Sequence, residues 1–307
     1  MIVRFVLALC SILMFTSCAH IRQPLTPRQL VSSQISEAFV RVHISVSYEI
    51  KQCHPKDLSR CREIGLGITG PAGIGSGGVI SHNDESSSIL TATHVVSSFG
   101  QIPPSHPDAI QGVIRAYARI TGTSLEIARL QFQSGALVAE GIETIVSVAT
   151  SNGKEYRVNS IDCHPVHDVC MITTASRIED VPTLSVSSTA PSIGDEVRCA
   201  QGPFGYAIPG MMVPLFDGVY SGQTPRVRGS LAKDYYTFPV APGSSGSLIV
   251  NTSGQIVGIV SMFMSGPFCA DNGLGCHAMS SGITVSIPYN IVRQFIIESL
   301  STSREEN

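Results

Sequence analysis

Three short stretches of this 307-residue chain hold side chains that work together in acyl-transfer chemistry. Leu90-Thr91-Ala92-Thr93-His94-Val95-Val96 sets a histidine directly after a small apolar run. His164-Pro165-Val166-His167-Asp168-Val169-Cys170-Met171-Ile172 leads an aspartate into an apolar run. Pro242-Gly243-Ser244-Ser245-Gly246-Ser247-Leu248 places a serine among glycines ahead of a third. A serine hydroxyl is a weak nucleophile until a neighbouring base removes its proton. Imidazole as a side-chain type changes charge near neutral pH and suits that task. A carboxylate on the other ring nitrogen fixes the tautomer and stabilises the imidazolium that forms. Glycines around the serine let the backbone turn its amides toward a developing oxyanion, with Gly243 and Ser245 as the expected donors. Each pattern alone reads equally well as a strand-end histidine, a turn carboxylate or a flexible loop. Their coincidence in the order His94, Asp168, Ser245 is far more specific, because one of the folds that evolved this triad uses that order.

The elements that must position these residues are mostly strands. Val40, Val42, Ile44, Val46 and Tyr48 alternate with polar residues, the period of a half-buried strand. Further short strands are predicted at 77–81, 88–92, 142–149, 157–161 and 169–173, then at 196–200, 248–250, 256–261 and 283–287. Residues 51–74 read as a loop. A segment at about 176–193 with Pro182 and Pro191 separates the two strand groups. Many short strands, 28 glycines and 18 prolines point to an all-β barrel or sandwich. Residues 99–140 are too long for a plain connection. Within them Ile110, Val113, Ile114, Tyr117 and Ile120 share one helical face. Residues 289–300 read as a closing helix.

Composition narrows the function. Charged residues make up 14% of the chain and net charge is −3, with no basic stripe for phosphates, so nucleic acid is not an expected partner. Hydrophobic residues at 43% suffice for a sizeable core. Residues 1–18 combine Arg4 with an apolar run from Phe5 to Phe15, too short to span a bilayer but suited to a signal peptide. Phe15-Thr16-Ser17-Cys18 resembles a bacterial lipobox, with Cys18 as the lipidated residue. Export to the cell envelope and a lipid-anchored membrane association are therefore expected. In an oxidising compartment Cys53/Cys61, Cys269/Cys276 and Cys163/Cys170 are possible pairs, which leaves Cys199 odd. Cys163, His164, His167 and Cys170 also have the number and type of ligands for zinc. Asp168 inside the cluster and the exported setting argue against it, and no metal or cofactor is expected.

The motifs together resemble a trypsin-like (chymotrypsin-fold) serine endopeptidase, nearest the bacterial HtrA-type branch. Gly75-Ser76-Gly77-Gly78-Val79-Ile80 is similar to that family's strand before the histidine strand. Gly194-Asp195-Glu196-Val197, Gly202-Pro203-Phe204-Gly205, Gly258-Ile259-Val260-Ser261 and Gly282-Ile283-Thr284-Val285-Ser286-Ile287-Pro288 match its second half. The resemblance runs from about residue 38 to 300. It implies two antiparallel β-barrels with a C-terminal helix, over 36–182 (with the 99–140 insertion) and 183–300, between a tether at 19–35 and a frayed tail at 301–307. The site would lie in the cleft between barrels, with Ser261 supporting Asp168. Pro239 would floor the pocket for the substrate side chain, with Val240, Val260 and Phe263 lining it, so an apolar side chain is expected there. The partner is a polypeptide, and the oligomeric state is left open. Ser244 and Ser247 depart mildly from the family pattern, and no PDZ domain is expected after the closing helix. The alternative is a catalytically inactive protease-fold binding lipoprotein.

Overall fold

The computed structural model describes residues 24–54, 57–68, 73–97, 107–203, 213–225, 231–269 and 276–305. Residues 1–18, expected to be a signal peptide that ends at the lipidation candidate Cys18, lie outside them. The alternation seen around Val40 yields a 16-residue strand, β1 (Phe39–His54), long enough to serve two purposes. It pairs along its length with β5 (Leu137–Thr150). Its first half also pairs with β3 (Gly73–His82) and its second half with β2 (Asp57–Ile68). The order continues through β4 (Ser87–Thr91), β7 (Cys170–Thr174) and β6 (Glu155–Cys163) back to β5, so the first sheet closes on itself through β1 and β5. Val40 and Val42 from β1 join Val79, Ile89, Val148 and Ile172 inside it.

Beyond the barrel the even-numbered side chains of β1 continue as Val46, Tyr48 and Ile50. They meet Val113, Ile114 and Tyr117 of the helix Pro107–Thr121 and Ala128 of the helix Leu125–Gln133. The insertion therefore has its own small core on an extension of β1, which buries Val113, Ile114 and Tyr117 of its apolar helical stripe while Ile120 stays 44% exposed. Residues 57–68, expected within a loop, form strand β2 instead, because the Cys53–Cys61 disulfide staples it directly to β1.

The second sheet is a closed six-stranded barrel. It consists of β8 (Glu196–Ala200), β9 (Leu215–Thr224), β10 (Lys233–Tyr236), β11 (Leu248–Asn251), β12 (Ile256–Cys269) and β13 (Cys276–Ser286). Tyr236, Phe238, Ile249, Val257 and Val260 fill it. Another core joins the two barrels. Phe39, Ile80, Leu90 and Met171 come from the first and Leu248, Ile256 and Ile259 from the second, together with Val292, Phe295 and Ile296 of the closing helix Tyr289–Glu305. This is the chymotrypsin-like double barrel with its C-terminal helix.

Two termini are more regular than their sequences suggest. Residues 24–30 are the described part of the N-terminal unit Met1–Leu30. There Thr26 and Gln29 form a reciprocal capping box, with Gln29 N–H donating to Thr26 Oγ1 and Thr26 N–H to Gln29 Oε1. With Pro27 in the first turn, they start the helix Pro27–Ala38 where an unpatterned tether was expected. The closing helix runs on to Glu305, through most of the stretch expected to fray.

Candidate active site

The first barrel brings His94 and Asp168 together. Strand β4 ends at Thr91, and the single-turn helix Thr93–Ser97 starts at once, so His94 leaves the barrel at its rim. Asp168 precedes β7, the strand paired with β4. One carboxylate oxygen of Asp168, Oδ1, accepts the backbone N–H of His94 at 2.8 Å. The other, Oδ2, lies 2.7 Å from His94 Nδ1 and accepts the Ser261 hydroxyl at 2.5 Å. Ser261 is buried. Burial alone would raise the Asp168 pKa. The hydrogen bonds from the His94 ring, Ser261 and the His94 amide outweigh it and hold the carboxyl below its ordinary range. A carboxylate ionised in this way orients the ring with Nδ1 protonated and leaves Nε2 as the acceptor.

Ser245 sits on the loop between β10 and β11 of the second barrel. Its carbonyl accepts the N–H of Ser76 from β3 at 2.7 Å, and Ser76 Oγ donates to the Gly243 carbonyl at 2.7 Å. The next residue, Gly246, has φ +87°, and a Cβ there would lie 2.0 Å from the Ser76 carbonyl oxygen and 2.4 Å from Thr91 Oγ1. Only glycine lets the loop press this closely against the end of β4, three residues before His94. Within the loop the amides of Ser244, Gly246 and Ser247 donate to Ala241, Val260 and Ser244 carbonyls. The amides of Gly243 and Ser245 have no acceptor among the described residues. An oxyanion hole requires two such free donors beside a nucleophile.

The expected pocket residues divide. Pro239 is exposed, and its carbonyl accepts from Gln201 Nε2. Val240 and Val260 are packed in the core of the second barrel, so their side chains face inward. The Phe263 side chain lies outside the described residues. Met262 and Met264, on the same strand, are each 49% exposed.

Cys163 and Cys170 form a disulfide across the hairpin that carries Asp168, which removes both thiolates from the zinc reading. Cys199 is free and buried, and burial pushes its thiol pKa far up, so it is inert. Cys269 and Cys276 are register partners at the end of the β12–β13 hairpin, and their side chains lie outside the described residues.

Sequence reasoning missed two supports. Ser76 ties the Ser245 loop to the first barrel at both Gly243 and Ser245. Thr91 Oγ1 donates to the Ser76 carbonyl at 2.7 Å and holds Ser76 in turn. A single polar residue within 73–80, a run otherwise made of glycine, isoleucine and valine, was the available signal.

A double barrel that carries a carboxylate-held histidine on one half and a glycine-flanked serine loop on the other defines a protease-fold protein. The chain belongs to the trypsin-like peptidase family, whose domain profile matches residues 75–259, more than half of the sequence. No curated protein shows a significant match to the chain.

Proposed function

We propose that this protein is an exported serine endopeptidase, nearest the HtrA-type branch and anchored at the cell envelope through lipid on Cys18. The observation that carries the catalytic reading is the three-way hydrogen bonding of Asp168 by His94 and Ser261, together with a Ser245 loop whose Gly243 and Ser245 amides have no acceptor among the described residues. In this reading Ser245 Oγ attacks the peptide carbonyl carbon while His94 Nε2 takes its proton. The carbonyl π pair moves to oxygen, where the amides of Gly243 and Ser245 receive it. Collapse expels the amine, which takes the proton from His94, and leaves an acyl-enzyme. Water, deprotonated by His94, then releases the acid and restores Ser245. Pro239 and the exposed Met262 and Met264 offer no charge to a substrate side chain, so cleavage after apolar residues is expected.

A fluorophosphonate probe tests the mechanism. The wild type should be labelled on Ser245, and Ser245→Ala should fold without labelling. An unlabelled but folded wild type would point to the inactive binding protein instead. The anchor is tested separately. The mature N-terminus should be Cys18 and should partition into detergent, with more than one acyl chain for stable attachment.

A further inference from the structure

Arg41 on β1 is only 8% exposed. A buried guanidinium carries a large desolvation cost unless an anion meets it, and buried arginines are accordingly paired. Arg41 is not. Its Nε is sealed from solvent with no hydrogen-bond partner, and the side chain makes no ion pair or hydrogen bond among the described residues. The Glu155 carboxylate acts on it only through space. Glu155 is itself mostly exposed and lies 3.7 Å from His43 Nδ1. His43 Nε2 is likewise sealed and has no partner among the described residues. Burial, and then the Arg41 charge, favour neutral His43.

The position of this pair gives it meaning. Arg41 is the register partner of Ser76, and residues directly opposite share a face. From that face Ser76 Oγ reaches the Gly243 carbonyl. Phe39, two residues before Arg41 and so on the same face, approaches Gly202 of the second barrel. Arg41 therefore lies on the face turned toward the second barrel, one strand from the residue that grips the Ser245 loop. Across β5 the rows run Arg41–Ala149–Glu155 and His43–Ser147–Arg157.

We propose that Arg41 anchors a carboxylate-binding subsite beside the Ser245 loop, and that an acidic side chain of the polypeptide substrate occupies it. A planar guanidinium suits a carboxylate better than any other polypeptide group. Glu155 stands at the rim as an internal competitor. The identity of the occupant rests on the peptidase reading, whereas the anion site does not.

The test uses the full chain as Ser245→Ala and a set of fluorescein-labelled peptides. A single Glu is walked through the positions either side of an apolar residue, with a matched Gln peptide for each, and binding is read by anisotropy. At one position Glu should bind about tenfold tighter than Gln, the order expected for a charge-assisted hydrogen bond. Adding Arg41→Gln should erase that preference at an unchanged melting temperature. Adding Glu155→Gln, at an exposed site, should raise it, and this variant decides the matter if Arg41→Gln fails to fold. Equal binding of Glu and Gln at every position would overturn the subsite, as would a preference indifferent to both substitutions. Fluorophosphonate labelling of the wild type is read in parallel. A Glu preference without labelling would retain the subsite and reject the peptidase reading.

Discussion

Replacing Asp168 by asparagine changes one oxygen to NH2, and the hydrogen bonds at the carboxylate dictate the outcome. Oδ1 accepts the His94 amide at 2.8 Å, while Oδ2 meets His94 Nδ1 at 2.7 Å and Ser261 Oγ at 2.5 Å. If the new NH2 faced the His94 backbone, two donors would oppose each other, at a cost of about 1–3 kcal/mol. The amide oxygen therefore stays at Oδ1, and the NH2 donates toward His94 Nδ1. That moves the ring proton to Nε2, which removes the acceptor that the proposed mechanism assigns to the Ser245 proton. Ser261 can rotate its hydroxyl to accept from the NH2, so the fold loses little. The barrier should rise by about 5 kcal/mol, roughly a 10⁴-fold drop in turnover. The assay pairs the second-order rate of fluorophosphonate labelling at pH 7 with kcat on an apolar peptide and a thermal melt. Labelling within about tenfold of wild type, at an unchanged melting temperature, would refute the assignment of Asp168 as the group that sets the tautomer.

Gly246→Ala drives a Cβ into the Ser76 carbonyl at positive φ and should cost more than about 3 kcal/mol together with all labelling. Gly194→Ala, at φ +97° but with open space around it, should cost only about 1 kcal/mol, and similar urea midpoints for the two would contradict this account. The Cys53–Cys61 and Cys163–Cys170 bridges close loops of similar length, with sequence separations of 8 and 7, so removing either pair should cost about 2.5 kcal/mol by loop-closure entropy. Only the Cys163→Ser/Cys170→Ser variant should also lower kcat, because that bridge spans the hairpin of Asp168. The pH dependence of stability should have opposite signs at two aspartates. Asp168 is held low, so its contribution is present above an unfolded pKa near 4 and is lost as pH falls through its lower native value. Asp234 is held high by burial, against hydrogen bonds from the Tyr289 amide, Gln223 and Tyr220, so its penalty appears as pH rises through its native value. In urea titrations from pH 3 to 7, the stability of Asp168→Asn relative to wild type should fall with pH and that of Asp234→Asn should rise.

The residue sequence by itself determined the local choices. Period-two alternation from Val40 made β1, because alternate side chains of a strand face opposite sides. The residues proposed for the site, His94, Asp168, Ser245 and Ser261, could be named from the sequence because each sits in a short motif, and the structure joins His94 and Ser261 at the Asp168 carboxylate. What the sequence did not disclose depends on pairings between distant strands. The hairpin at 57–68 looks like a loop until the Cys53–Cys61 bridge and pairing with β1 satisfy its backbone. Val240 and Val260 read as pocket walls, and only closure of the second barrel turned them inward. Ser76 and Thr91 became supports of the Ser245 loop because two barrels meet there. Arg41 looked like an ordinary polar residue on the open face of a half-buried strand. Packing of that face toward the second barrel left it a buried cation with no ion pair among the described residues, a condition that no property of residues 39–48 alone can specify.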